Sequence, residues 1–163
     1  MTIKILSNPE NWGSDHITAA GALIIAADSL KVLTVLRSHQ VDDGGVWCGV
    51  GGKIDGLETP EQAARREIAE EVGYSGPMSL TPALLFENDW LTFHNFIGVV
   101  PKQFIATLNH ESDGYSWTDL EKIPRPFHFG LQSLLSDADS YTKILQTFTR
   151  SADHQVPSYK SFK

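Results

Sequence analysis

The stretch GKIDGLETPEQAARREIAEEVGY, Gly52 to Tyr74, joins a polar loop to a helix loaded with acid. Thr59 offers a hydroxyl for an N-cap, Pro60 suits the first helical position, and Glu61 and Gln62 fill the first turn. The helix is predicted to run to about Val72, with Gly73 just past its end. Ala64, Ile68 and Val72 recur every four residues and form an apolar stripe that can pack on a sheet. Glu67, Glu70 and Glu71 stand at i, i+3 and i+4 and so share an adjacent face. Like charges at that spacing repel, and an isolated helix gains nothing from them. A hard cation held between the carboxylates would offset the cost. Three glutamates alone are also what a solvated surface helix carries, with Arg65 and Arg66 pairing to them. The spacing of the whole stretch separates these two readings.

That spacing matches the Nudix signature, G-x5-E-x7-R-E-U-x-E-E-x-G-U with U a bulky apolar residue. Gly52, Glu58, Arg66, Glu67, Ile68, Glu70, Glu71 and Gly73 all fall in register. Tyr74 stands where an aliphatic residue is commoner, a mild departure. Seven positions demand one residue type, so at roughly one in twenty per position chance agreement is on the order of 10⁻⁹ per starting point. The opening Gly51-Gly52-Lys53 is similar to the MutT branch, the members that sanitise nucleotide pools. The specific match covers about 25 residues. A second segment, Asn109 to Leu120 (NHESDGYSWTDL), resembles the family's acid-then-Trp stretch before the last helix.

The resemblance implies an α/β fold, an α/β/α sandwich with a central mixed β-sheet. It implies Glu70 and Glu71 as metal ligands, with Glu67 a further ligand or the general base. The carbonyl of Gly51 would complete a metal position, and Glu111 would be the distal carboxylate that binds metal or acts as base. Arg66 would orient the carboxylates through charge-assisted hydrogen bonds, and Glu58 would hold the loop to the helix. The cofactor would be Mg²⁺, with Mn²⁺ as a substitute. Lys53 and Arg37 are candidate contacts to substrate. The chemistry implied is attack of water on a pyrophosphate phosphorus, with Glu67 or Glu111 taking the proton.

Outward from this segment the chain falls into recognisable pieces. Ile17 to Ala27 is a near-continuous apolar run, as in a strand buried on both faces. Asp28-Ser29 is a turn, and Lys31 to Arg37 (KVLTVLR) a β-branched second strand, forming a hairpin with the first. Asp42 to Gly45 is a loop, and Trp47 to Gly52 a short segment punctuated by glycine. Pro82 to Glu87 and Trp90 to Val100 form a strand pair around Asn88-Asp89, and Tyr115 to Trp117 a short strand. Leu120 to Pro126 is a turn limited by proline. Phe129 to Phe148 is a C-terminal helix with a break near Asp137–Ser140. Residues 1–150 are expected to form one domain, and Ser151 to Lys163 a loose polar tail.

The 163 residues suit a single core, and 41% apolar with 20% charged residues is the balance of a globular protein. A net charge of -7 argues against duplex nucleic acid as a partner, because a phosphate backbone needs basic patches. It does not disfavour a small phosphorylated ligand, since a bound cation inverts the local sign. Met1 to Trp12 shows no basic-then-apolar leader, and no apolar stretch is long enough to span a bilayer. The lone Cys48 excludes an intrachain disulfide, and a cytoplasmic location is expected. Cys48 has no His partner or CxxC spacing to make it a nucleophile. Trp47, Phe86, Trp90, Phe93, Phe127 and Phe129 are candidate base-stacking residues, although most aromatics of such a domain belong to the core. Among His94, His110 and His128, His110 draws interest by standing beside Glu111.

The partner expected is a small nucleotide. A nucleoside triphosphate cut to monophosphate and pyrophosphate leads, with ADP-ribose, a nucleotide sugar or a dinucleotide as the alternative. A non-catalytic binding domain on the same fold would normally have lost signature glutamates, and all are present here. An enzyme acting on RNA ends is disfavoured by the charge. Many members form homodimers, but no interface signal is visible in the sequence.

Overall fold

The computed structural model describes residues 16–154. Strand β1 (Ile17–Ala26) is the centre of a mixed seven-stranded sheet. It forms the expected antiparallel hairpin with β2 (Lys31–Arg37), Ala26 facing Lys31 and Ile24 facing Leu33. On its other side it runs parallel to β6 (Leu91–Val100) through ten consecutive pairs, Ile17 with Leu91 to Ala26 with Val100. A strand flanked so completely must be apolar on both faces, and Ala20 and Leu23 to Ala26 are all 1% exposed or less. Beyond β6 lies the edge strand β5 (Ser79–Glu87). It starts three residues before the expected Pro82. An edge strand tolerates the missing proline N–H, and the register slips between Pro82 and Leu84.

The glycine-punctuated segment is two short strands, β3 (Trp47–Cys48) and β4 (Val50–Lys53). β3 pairs with β2, Val35 facing Cys48, whereas β4 pairs with the first half of β1, Gly21 facing Gly51. One ribbon therefore leaves β2 and lands on β1. Strand β7 (Ser112–Thr118) covers the far edge of β2 and is longer than the expected Tyr115–Trp117.

Helix α1 (Pro60–Val72) follows the sequence reading closely. The Gln62 N–H donates to Thr59 Oγ1 at 3.2 Å, and the Thr59 N–H donates to Gln62 Oε1 at 2.9 Å, closing a capping box. Gly73 ends the helix at φ +70, the left-handed region that favours glycine. Ala64, Ile68 and Val72 are fully buried against Ala20, Ala22, Ile24 and Val35 on one face of the sheet. The other face, Leu23, Ile25, Val32 and Ile97, is covered by α2 (Phe129–Ser136) and α3 (Ala138–Asp153). The result is an α/β/α sandwich. The break in the C-terminal helix falls at Asp137, whose carboxylate accepts from the Ser140 N–H at 2.8 Å and caps α3.

The expectation of a loose tail from Ser151 is corrected in part: residues 151–153 complete the last turn of α3, because nothing there breaks a helix. The rest of that tail, from residue 155, and the Met1–Trp12 stretch lie outside the described residues. No helix among the described residues is long and apolar enough to cross a membrane.

Candidate active site

The acidic face of α1 turns toward β4 rather than out to water. Glu67 and Glu71 are 9% and 5% exposed, and only Glu70 stays in solvent. The Glu67 carboxylate lies over Gly52, where a Cβ would stand 2.5 Å from Glu67 Oε1, so glycine there makes room for the acid. Glu71 is the more deeply placed. Its Oε1 is buried and has no hydrogen-bond partner. Burial, then the negative charges of Glu111 and Glu67, push its carboxyl up to about 8, against a smaller opposing effect of the Gly51 N–H. Burial likewise raises Glu67, although Arg66 works against it.

Arg66 knits the loop to the helix. Its guanidinium donates to both oxygens of Glu58 at 2.7 and 3.1 Å and to the Lys53 carbonyl at 2.9 Å. Its Nη1 donates to Glu67 Oε1 at 2.9 Å and to Glu70 Oε2 at 3.1 Å. The guanidinium is held more firmly protonated than usual, first by Glu58, and Glu58 is in turn held below the ordinary carboxylate range, first by Arg66. Glu58 also accepts from the Asp55 N–H at 3.0 Å, which pins the loop to the helix start.

Glu111 comes just before β7, 40 residues beyond Glu71 in the chain. The Ser38 N–H donates to its carbonyl at 2.8 Å and its own N–H donates to Asn109 Oδ1 at 3.0 Å, so its backbone is fixed with its charge felt at Glu71 and Glu67. Among the described residues no three His, Cys, Asp or Glu side chains already close around one point, and Arg66 Nη1 stands between Glu67 and Glu70. The donor set nevertheless fits a divalent cation. It is all oxygen, it holds more negative charge than Arg66 neutralises, and one buried oxygen has no partner.

A narrow cleft of about 70 Å³ opens on the opposite face of the sheet, between β1, the 47–53 ribbon and α2. Gly21, Arg37, Cys48, Phe93, Asn95 and His128 are among its walls. Arg37, at the end of β2, donates to the Asp42 carbonyl from Nη2 at 2.6 Å, and its charge reaches both Glu71 and His128. It thus lines the cleft within electrostatic reach of Glu71. His128 caps α2: the Gly130 N–H donates to its Nδ1 at 3.3 Å, and its Nε2 faces Asp43 at 3.7 Å. Burial and then Arg37 push its pKa down to about 4, so it is neutral. Burial pushes the Cys48 thiol up to about 12, in keeping with an inert wall residue.

Of the aromatic candidates, Phe93 lines the cleft. Phe129 packs on His128 and Phe86, Phe127 lies under Arg125, and Trp90 is 46% exposed at the β5–β6 turn. Lys53 is exposed at the end of β4, with its carbonyl taken by Arg66. His110 is exposed beside Glu111, and the histidine brought into the cleft is His128 instead. Asn95, which carries no motif, also faces the cleft. Only the pairing of β6 with β1, which sets it opposite Gly21, reveals this.

The family model for the NUDIX domain matches residues 15–138. An octanoyltransferase of Myxococcus xanthus is 32% identical over 111 residues, covering 58% of this chain but 29% of that protein. A putative 8-oxo-dGTP diphosphatase of Bacillus subtilis (strain 168) is 28% identical over 111 residues, 66% of this chain and 70% of that one. The chain thus spans less than a third of the first of these relatives and about two thirds of the second. Among solved structures, RenU, a Nudix hydrolase from M. smegmatis, superposes with a TM-score of 0.64 at 23% identity, over 83% of this chain and 87% of its own.

Proposed function

The chain belongs to the Nudix family, and on that premise we propose that it hydrolyses the pyrophosphate link of a nucleoside diphosphate derivative. A nucleoside triphosphate, cut to monophosphate and pyrophosphate, is the favoured substrate. The observation that carries the reading is the partnerless oxygen of Glu71, buried beside Glu67 and within electrostatic reach of Glu111. A stability-driven helix has no use for that arrangement, because an unpaired buried carboxylate is costly. A site for a divalent cation does.

Glu67, Glu70, Glu71, the Gly51 carbonyl and Glu111 would hold Mg²⁺, or Mn²⁺ in its place. When bound, the ion neutralises phosphate charge and makes a coordinated water more acidic. Arg66 aims Glu67 and Glu70 and fixes the loop beneath them. Glu67, raised by burial, is suited to accept the proton of the attacking water, and Glu111 is the other carboxylate facing the same ground. Arg37 and Lys53 flank the site as cations for the phosphate chain. The cleft walled by Phe93, His128 and α2 receives the base.

The test is turnover of Glu70→Gln and Glu71→Gln with Mg²⁺ across nucleoside triphosphates, ADP-ribose and nucleotide sugars, products being separated by anion exchange. Both variants are expected to lose activity and metal dependence together. Wild-type turnover in both would sink the metal assignment. Release of a sugar phosphate in place of pyrophosphate would move the substrate class.

A further inference from the structure

Glu71 and Glu111 stand 40 residues apart in the chain, and the fold brings their like charges within reach of each other at a cost. One residue is bonded to both. The Asn109 N–H donates to the Glu71 carbonyl at 3.3 Å, and Asn109 Oδ1 accepts from the Glu111 N–H at 3.0 Å. The Asn109 carbonyl accepts from the Ser112 N–H at 3.4 Å, where β7 begins. A backbone N–H can only donate, so this contact fixes which end of the Asn109 amide faces Glu111.

Docking of the loop does not need this side chain. The last carbonyls of α1 have no partner inside the helix. The Thr107 N–H donates to the Val72 carbonyl at 3.0 Å, and the main chain of Asn109 supplies the bond to Glu71 whatever its side chain is. Upstream, Phe104 stacks on Tyr74 with ring centroids 4.3 Å apart, and the Trp117 indole N–H donates to the Phe104 carbonyl at 3.1 Å. The loop is therefore held against α1 and β7 before it reaches Asn109. What the Asn109 side chain adds is local. It grips the main chain of Glu111 from one side, while the Ser38 N–H holds the Glu111 carbonyl from the other at 2.8 Å. Both grips fall on the residue whose charge opposes Glu71 and Glu67. A chain selected for stability alone would leave that residue free to move away from the buried carboxylates.

We propose that Asn109 is a positioning residue that holds Glu111 beside Glu71, so that the two carboxylates bind one divalent cation. It touches neither cation nor substrate and acts through Glu111. This rests on the proposed function, in which these carboxylates belong to the metal site. A ligand whose main chain can wander loses that freedom when the ion binds, and affinity falls by the cost of ordering it. With the main chain of Glu111 fixed on both sides, that ordering is already complete in the folded protein, and only side-chain torsions remain to be set.

The experiment reads Mn²⁺ affinity by titration calorimetry on the full chain, with no substrate present. Asn109→Ala is expected to weaken Mn²⁺ binding by on the order of 10- to 100-fold. Asn109→Asp and Asn109→Ser each keep an acceptor for the Glu111 N–H, and at least one should restore most of the affinity. A double-mutant cycle separates positioning from general loosening of the fold. In the Glu111→Gln background, Asn109→Ala should cause no further loss, because the group it acts through is already gone. Equal affinity in wild type and Asn109→Ala, recovery in neither conservative variant, or the same loss repeated in the Glu111→Gln background would each overturn the proposal. If Asn109→Ala does not fold, Asn109→Gln, whose acceptor lies one methylene further out, takes its place with the same expectation. If wild type binds Mn²⁺ but hydrolyses no pyrophosphate substrate, the proposed function fails by itself and the affinities still decide this inference. If wild type binds no Mn²⁺, both fall.

Discussion

Arg66 places all its donors on oxygens of one short segment: two on Glu58 and one each on Glu67, Glu70 and the Lys53 carbonyl. Lysine could keep the charge but not the planar fork that reaches these directions at once. Arg66→Lys is therefore expected to cost roughly 10- to 100-fold in metal affinity and activity, the usual effect of losing a group that orients ligands. A Mg²⁺ titration of turnover checks this, and unchanged affinity would show that the carboxylates are held by other means. The carboxylate cluster was legible in the sequence because its spacing is that of a helix face, where neighbours in space are near neighbours in the chain. Asn95 was not. In the run Thr92-Phe93-His94-Asn95-Phe96 nothing marks one polar residue above another until β6 is laid against β1, about 70 residues away in the chain.

Helix α1 has both ends determined locally, which is why its boundaries could be read at Thr59 and Gly73. The capping box satisfies amide groups that the first turn leaves free. Thr59→Ala removes one acceptor and is expected to cost about 1 kcal/mol, read by urea unfolding. An unchanged midpoint would show that packing of Ile68 and Val72 alone sets the helix start. The 47–53 segment was less legible. Seven residues with three glycines have no usable period, and their division between β2 and β1 depends on where the hairpin partners diverge. The true start of β5 was hidden for a related reason. A proline normally argues against a strand interior, and only its place at a sheet edge makes it acceptable.

For the whole molecule, the relevant balance is between the two faces of the sheet. The α1 face carries the carboxylates, and the opposite face carries the cleft and the neutral His128. His128 has a folded pKa of about 4 against an ordinary 6.5. The unfolded chain therefore binds more protons between these values, and stability must fall as the pH drops from about 6.5 toward 4. His128→Asn keeps a capping acceptor for α2 but does not titrate. It is expected to flatten that part of the stability curve relative to wild type, with little change at pH 8. Thermal unfolding across this range checks the difference, and parallel curves would show that the carboxylates alone set the acid limit. The sandwich itself was legible from the order of strands and helices, and from the alternation that sends Leu33 and Val35 one way and Val32 the other.

The ribbon from Trp47 to Lys53 floors the cleft with one end and cradles Glu67 with the other. A change in it disturbs both tasks, whereas β6 and α2 touch the cleft without bearing any of the signature residues. On the proposed reading of the cleft as the base site, divergence toward new bases therefore has an open route through cleft positions on β6 and α2, such as His128, and a closed one through the ribbon. Descendants should vary in what they recognise while inheriting the hydrolytic half intact.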